Sequence, residues 1–143
     1  MARRIANKFP VDTQAGTAVG VGLPFSGGND AVFNINYTTQ DQTKSNLINF
    51  FLTNKGERPF RPNYGANLRA DIFQSANQQN FDQLKEKIQF EISQNFPNVV
   101  VDNVVIVGSE DLNAINVTIT YSINPFGISD EINLTFNWWQ LKI

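Results

Sequence analysis

The sequence predicts an α+β domain in which about three helices pack on one face of a mostly antiparallel β meander, with an extended Gly-rich N-terminal arm. Three observations support this prediction. The last third of the chain alternates apolar with polar residues, as half-buried antiparallel strands do. The middle third places apolar residues three and four positions apart, as amphipathic helices do. The length of 143 residues is enough for one domain with a substantial hydrophobic core.

The beginning of the chain differs in composition from the rest. Residues 1–30 contain five of the nine glycines and two of the six prolines, so we predict an extended arm at 1–30 and a single domain at 31–143. We expect the arm to pack on its own domain or on a partner, because it carries an alternating apolar set: Val19, Val21, Leu23 and Phe25. Residues 31–37 predict a short strand with one buried face, formed by Phe33, Ile35 and Tyr37.

Three helices follow in the middle of the chain. A polar cluster at 38–41 predicts a helix start, with Thr39 or Asp41 as the capping side chain. This helix is predicted to run to about Thr53 and to be largely buried, since its apolar residues cover more than one face: Leu47, Ile48, Phe50, Phe51 and Leu52. A short helix is predicted at about 66–74. A longer helix at about 77–95 ends before Pro97 and has one apolar stripe: Phe81, Leu84, Ile88 and Ile92.

The predicted strands differ in their faces. Residues 98–107 have valines at both odd and even positions, which predicts a strand covered on both sides. Residues 115–123 and 132–138 alternate apolar residues with Asn, Thr and Ser, which predicts one buried and one polar face. An open sheet has edges, and an exposed edge invites pairing unless it is covered or used. We predict the last strand as the edge that accepts a partner strand, with the segment Gly20–Phe25 of the arm as second choice; the edge residues are Asn133, Thr135, Asn137 and Trp139.

Composition excludes several classes of function. The chain has no Cys and no His, which excludes disulfides, thiolate nucleophiles, Ser-His-Asp triads and zincin sites. The net charge of −2 argues against a dedicated nucleic-acid-binding protein. No secretion signal or membrane-spanning run is present, so we expect a soluble protein made in the cytosol, without membrane contact. Adjacent acidic pairs at 110–111 and 130–131 lack a calcium-loop pattern, so we expect no metal and no cofactor.

The connector at 54–65, NKGERPFRPNYG, is the candidate site because Gly, Pro and charged residues converge there. Pro59 and Pro62 follow Arg58 and Arg61 and restrict both arginines to extended conformations beside Glu57. Two structural interpretations are open: these charges satisfy backbone groups within the domain, or they are presented to a partner.

The third interpretation of the connector is catalytic, with Glu57 as an acid or base. A glycosidase-like site needs a second carboxylate about 5–10 Å away, and Asp71 is the nearest candidate in sequence. An adjacent arginine lowers the pKa of a carboxyl, which is the wrong direction for a general acid. The residues themselves therefore give this interpretation little support.

The run from Phe51 to Gly65, FLTNKGERPFRPNYG, with Leu68 and the Ile72-Phe73 pair after it, resembles the baseplate wedge proteins of contractile-tailed phages. This sheath-initiator family is also described as lysozyme-like and has a relative in the baseplate of type VI secretion systems. Its pattern is a helix ending in leucines and Thr, a Gly, a Glu-Arg or Glu-Pro-Arg core, a Pro, a Gly, then a Leu and a Leu-Phe pair. The resemblance covers about residues 19–137.

The resemblance implies a non-enzymatic structural role in the tail baseplate of a virion, in multiple copies around a sixfold baseplate assembled in the host cytoplasm. It implies docking of the Glu-Arg motif onto the core helical bundle of the other wedge proteins. It also implies that the sheet edge starts the first ring of tail sheath protein by strand addition. Carried over to this chain, the wedge-binding motif is Glu57, Arg58 and Pro59, flanked by Phe60, Arg61, Pro62 and Gly65. The alternatives are an acid muramidase and a small effector-side or toxin-immunity module that uses the same fold.

Overall fold

The computed structural model describes residues 9–23, 34–74, 78–109 and 114–137. Within these ranges the chain forms a 3-10 turn, three α-helices and two antiparallel sheets, which confirms the α+β fold class. The elements in chain order are the 3-10 turn Pro10–Thr13, β1 Gly20–Val21, β2 Ile35–Asn36, α1 Thr39–Leu52, α2 Leu68–Gln74, α3 Gln78–Asn95, β3 Val99–Ser109, β4 Ala114–Ile123 and β5 Ile128–Asn137.

The larger sheet is a meander with strand order β3-β4-β5, so β3 and β5 are its edges. Helix α3 packs against β3, and α1 packs against β5. Alternate residues of the strands therefore lie in a core between the sheet and the helices, while no described element covers the opposite face of the sheet. The most completely buried side chains of this core are Leu47, Phe50, Phe51, Leu68, Ile72, Ile92, Val117, Ile119, Tyr121, Ile123 and Ile132.

Helix α1 begins where the sequence predicts, but its cap is one residue earlier. The Thr38 hydroxyl accepts a hydrogen bond from the backbone N–H of Asp41 at 3.2 Å, so Thr38 is the N-cap rather than Thr39 or Asp41. The helix ends at Leu52, close to the predicted end. The burial of Leu52 was predicted wrongly, since this side chain is 55% exposed. It lies about 100° around the helix from Phe51, which takes it off the buried face.

The described part of the N-terminal arm, residues 9–23, packs against α1, as expected. Asp12 accepts hydrogen bonds from the backbone N–H and the hydroxyl of Thr39, each at 2.8 Å. Gly20 lies so close to the helix that a Cβ atom there would be 2.1 Å from Oε1 of Gln42. The backbone thus approaches α1 at a distance that only glycine allows without rearrangement of that glutamine.

Strands β1 and β2 form a two-stranded ribbon whose faces are the reverse of the prediction. Asn36 points towards α1, where its Nδ2 donates to Oε1 of Gln42 at 3.0 Å and to Oγ of Ser45 at 3.1 Å. Ile35 and Tyr37, which were predicted to be buried, are 50% and 52% exposed. The polar face turns inward because hydrogen-bonding groups of α1 satisfy it. Phe33 lies outside the described residues.

Strand β3 also departs from the prediction, because the helices cover only one of its faces. The register with β4 shifts between Val101 and Asn103, which marks a β-bulge. The bulge exchanges odd and even positions, so that buried Val99 and buried Val104 lie on the same face. The opposite face stays open to solvent, and the expectation of cover on both sides is therefore wrong; its exposed valines are Val100, Val105 and Val107.

Candidate protein-docking site

The connector between α1 and α2 is a loop held by backbone hydrogen bonds. The N–H of Gly56 donates to the carbonyl of Pro62 at 2.7 Å, which closes the loop across its base. The N–H of Ala66 donates to the carbonyl of Phe50 at 3.2 Å, which ties the end of the loop to α1. Gly65 has φ +117°, and a Cβ atom there would be 2.5 Å from the carbonyl oxygen of Thr53. The loop therefore needs glycine at this position.

Glu57 is used within the loop. Its carboxylate accepts hydrogen bonds from the backbone N–H of Asn54 at 3.0 Å and from Nδ2 of Asn54 at 2.8 Å. The backbone bond, then the side-chain bond and the charge of Arg69 lower the pKa of Glu57 from its ordinary value, because each favours the charged form. These contacts agree with the first structural interpretation of the connector, in which its charges satisfy groups of their own domain.

Arg58 also has an internal partner. Its guanidinium lies 4.3 Å from the ring centroid of Tyr64, which is a cation–π contact. The Tyr64 ring in turn packs edge-on against buried Phe50, with centroids 5.3 Å apart. A salt bridge of 2.6 Å between Lys55 and Glu91 joins the loop to α3. The sequence analysis missed Tyr64 and Lys55 as anchors, since nothing in the spacing of the connector indicates which helix it contacts.

Phe60 is the residue of the loop that points fully into solvent. Its side chain is 98% exposed, although it is a large aromatic group. Arg61 and both flanking prolines, Pro59 and Pro62, are exposed beside it. The structure thus divides the predicted motif into two parts: Glu57 and Arg58 contact their own loop, while residues 59–62 form an exposed apolar and cationic tip. We call residues 59–62 the loop tip.

The second predicted set lies on β5, at an edge of the larger sheet. Asn133 and Thr135 are exposed on the uncovered face. Thr118 on β4 donates to Asn133 at 2.7 Å, and Thr135 donates to Asn116 on β4 at 2.8 Å. Asn137 is half-buried at the end of the strand, and Trp139 lies outside the described residues. The polar side chains of this face are therefore engaged with one another across the strands.

The described residues form neither a metal site nor a membrane-spanning helix. No group of three or more acidic side chains able to hold a metal ion occurs among the described residues. None of the described helices has the length and apolar character that a bilayer span requires. A loop held by hydrogen bonds with an exposed aromatic tip, in a domain whose larger sheet has two edges without a strand neighbour among the described residues, is typical of a protein that contacts other proteins.

Fold and loop together define a structural subunit of a larger protein assembly, and the comparisons identify that assembly. Residues 37–125 match the family described as baseplate wedge protein gp25, so the chain belongs to the gp25 baseplate wedge family. It is thus a structural protein of a phage-type tail baseplate. The match contains the whole 54–65 connector and the first two strands of the larger sheet. No curated protein matches the chain by sequence.

Two solved structures share the fold. One is a protein from Geobacter sulfurreducens named provisionally as a tail lysozyme, with a TM-score of 0.62 and 15% identity over 70% of this chain and 91% of that one. The other is a chain of the anti-feeding prophage baseplate, with a TM-score of 0.52 and 16% identity over 80% of this chain and 81% of that one. Because both sequence identities are this low, the two structures show that the fold is shared and nothing further.

Proposed function

We propose that this baseplate protein docks onto the core helical bundle of the wedge through its loop tip and starts the first sheath ring through the β5 edge. Several copies would do so around a sixfold baseplate that assembles in the host cytoplasm. The single observation that supports docking most directly is the 98% exposure of Phe60 on a loop fixed by hydrogen bonds and two prolines.

An exposed phenylalanine between two prolines suits insertion into a pocket between helices. Burying a Phe side chain contributes about 1.5–3 kcal/mol relative to leaving it in water. The loop is already held by the bonds from Gly56 and Ala66, so docking orders little additional backbone. Arg61 adds a cation at the same tip, suited to a carboxylate or to helix C-terminal carbonyls of the partner.

Glu57 and Arg58 then act by holding the loop in shape. This division of roles refines the motif that the resemblance implies, in which the Glu-Arg pair makes the docking contact. Loss of the Glu57 carboxylate removes both bonds to Asn54, and loss of the Arg58 guanidinium removes the contact with Tyr64. We therefore expect a double Ala variant of this pair to stay folded and to dock poorly.

The test of docking is the incorporation of variants into baseplates, measured by co-purification with the other wedge proteins. Phe60→Ala is expected to reduce incorporation at least tenfold, which corresponds to about 1.4 kcal/mol. Phe90→Ala is the matched control, because Phe90 is a 62% exposed phenylalanine on α3 and outside the motif. Normal incorporation of Phe60→Ala would contradict docking through the loop tip.

The sheath proposal rests on the position of β5 at a sheet edge. A sheath strand added there gains main-chain hydrogen bonds, while the Asn and Thr side chains on the open face tolerate many sequences. A Pro at Thr135 or Asn137 is expected to stop sheath growth, whereas Asn133→Ser or Thr135→Ser has little effect. The variants are first checked for native circular dichroism and then examined for sheathed tails by electron microscopy. Normal sheathed tails from both Pro variants would refute the proposal that the β5 edge accepts a sheath strand.

The muramidase alternative takes its support from the name of the Geobacter relative. The carboxyls of this chain argue against it. The pKa of Glu57 is lowered, whereas a general acid needs a raised pKa, and Asp71 forms an ion pair with Lys87. Purified protein is therefore expected to leave peptidoglycan intact. Lysis that Glu57→Gln abolishes would establish the enzyme.

A further inference from the structure

The uncovered face of the larger sheet is polar on two strands and apolar on the third. On β4 and β5 the side chains of this face are Asn, Thr, Ser and Glu. On β3 they include Val100, Val105 and Val107, which are 45%, 43% and 54% exposed. Since β3 is an edge, these valines form a narrow apolar stripe along one border of an otherwise polar surface.

The backbone beside this stripe is also open. From Asn103 to Ser109 every residue of β3 pairs in register with β4 on one side. On its other side β3 has no strand neighbour among the described residues. The bulge at Asp102 interrupts the edge before this segment, so about seven residues form a regular edge. Edges of this kind are commonly protected by a lysine, a proline or a bulge; residues 103–109 contain no lysine or proline, and the bulge lies before them.

Charge on the same face is of one sign. Among the described residues of the three strands, the charged side chains on the uncovered face are Asp102 and Glu131. They lie at the bulge end of the stripe: Thr120 pairs with both Asn103 and Glu131 across the sheet, and Ser122 donates to Asp102 at 3.4 Å. Neither carboxylate forms an ion pair with a described residue.

We propose that the β3 edge is a second strand-accepting interface, and that its occupant is an extended segment of another protein. The segment has β-branched apolar side chains at alternate positions, next to Val105 and Val107, and a Lys or Arg at the end that reaches Asp102 and Glu131. The occupant is one strand wide, because the neighbouring row on β4 is polar. A second copy of this chain is disfavoured, because the described residues of its open face bring acidic groups and no cation. This interface is separate from the loop tip and from the β5 edge.

The test uses the full chain, labelled for NMR, and two synthetic peptides. Both alternate Val and Thr over eight residues; one begins with Lys and the other begins with Glu. The Lys peptide is expected to shift the amide signals of residues 103–109, and the Glu peptide is expected to bind at least tenfold more weakly. The double variant Val105→Thr, Val107→Thr keeps the β-branched shape of the side chains and is expected to weaken binding of the Lys peptide at least fivefold. Ile35→Thr on β2 is the matched control, since Ile35 is a 50% exposed β-branched residue outside the larger sheet, and it leaves binding unchanged.

Several results would overturn the proposal. They are equal affinity for the two peptides, shifts confined to β5, absence of binding, and concentration-dependent self-association that the double valine variant abolishes. The last result would make a second copy the occupant. Because the readout is local to β3 and needs no sheath or wedge protein, failure here leaves the docking and sheath proposals standing, and their failure leaves this one standing.

Discussion

Two glycines of the 54–65 connector allow a sharp test of how this loop is built. Gly56 and Gly65 both have positive φ, at +93° and +117°. At Gly56 a Cβ atom would meet nothing within 4 Å, whereas at Gly65 it would lie 2.5 Å from the carbonyl oxygen of Thr53. Replacing each glycine with Ala therefore separates the cost of the backbone conformation from the cost of close packing.

The expected magnitudes follow from these two environments. Positive φ costs a residue other than glycine about 1–2 kcal/mol, so Gly56→Ala is expected to lower the free energy of unfolding by about that amount. Gly65→Ala adds a clash with the carbonyl oxygen of Thr53, the residue directly after α1, and the Ala66–Phe50 hydrogen bond holds the two segments together there, so the clash adds about 2–3 kcal/mol. The loss of unfolded-state entropy that Ala brings stabilises both variants alike and cancels in the comparison.

The assay is urea unfolding of the two variants and the parent chain, with the free energy of unfolding compared at unchanged denaturant slope. Gly65→Ala is expected to be the less stable variant by about 2–3 kcal/mol. Equal stability of the two variants would refute the reasoning, because it would mean that the Thr53 carbonyl is not fixed where the structure places it. A baseplate-incorporation assay adds a second readout, since a displaced loop base misplaces the tip.

Four further predictions concern the side chains of Tyr121, Thr38 and Glu57. Tyr121→Phe is expected to change stability by less than about 1 kcal/mol at pH 7, because the buried hydroxyl lacks a hydrogen-bond partner in the described structure; thermal unfolding checks this. Burial and then the nearby Asp130 charge raise the pKa of Tyr121, so above about pH 10 the unfolded chain releases the phenolic proton while the folded chain keeps it. The free energy of unfolding of the parent chain, compared with that of the Phe variant, should therefore fall by up to about 1.4 kcal/mol per pH unit in that range. Thr38→Ala is expected to cost about 1 kcal/mol in urea unfolding through loss of the α1 cap. The pKa of Glu57 is lowered from its ordinary value of 4.5, so its hydrogen bonds to Asn54 are fully formed above pH 4.5. They are lost as the pH falls through the lowered pKa, and the NMR signals of the Asn54 amides are expected to change in that acidic range.

After burial, the Asp130 carboxylate is the nearby charge that raises the pKa of the Tyr121 hydroxyl. It lies close enough to raise the pKa of the hydroxyl, yet the pair does not meet the geometry of a hydrogen bond. Asp130 instead pairs with Lys44 of α1 at 3.3 Å. A large destabilisation by Tyr121→Phe would therefore show that the hydroxyl has a partner after all, and would contradict the prediction.

Much of the fold could be predicted because its elements have strong and separate periodicities. The stripe on α3 and the alternation on β4 each fit one pattern over nine residues or more, and both lie where the sequence indicates. The boundaries of α1 follow from the polar cluster before it and the Gly-Pro connector after it. The candidate loop was found for the same reason, because two prolines and two arginines in five residues have no place in a helix or a strand.

The roles within the loop could not be predicted from the sequence. Glu57 and Arg58 attract notice as a charge pair, but whether a charge faces its own backbone or a partner depends on the fold of the loop. Asn54 and Tyr64, which receive these two side chains, look like ordinary connector residues in the sequence. Phe60 reads equally well as a core residue, and its exposure follows only from the turns on either side of it.

Both errors of strand burial have one physical cause, and it bears on function. Alternation of apolar and polar residues shows that the two faces of a strand differ. In a short strand or next to a bulge, it does not show which face is covered. In β2 the Asn face turns inward because α1 offers Gln42 and Ser45, and in β3 the bulge turns Val105 and Val107 outward. The predicted arrangement would bury these apolar side chains, whereas the observed one leaves Ile35, Val105 and Val107 about half exposed. A baseplate protein that instead leaves apolar groups on a sheet edge keeps surface that another chain can cover, and the β3 edge is the place to look for that chain.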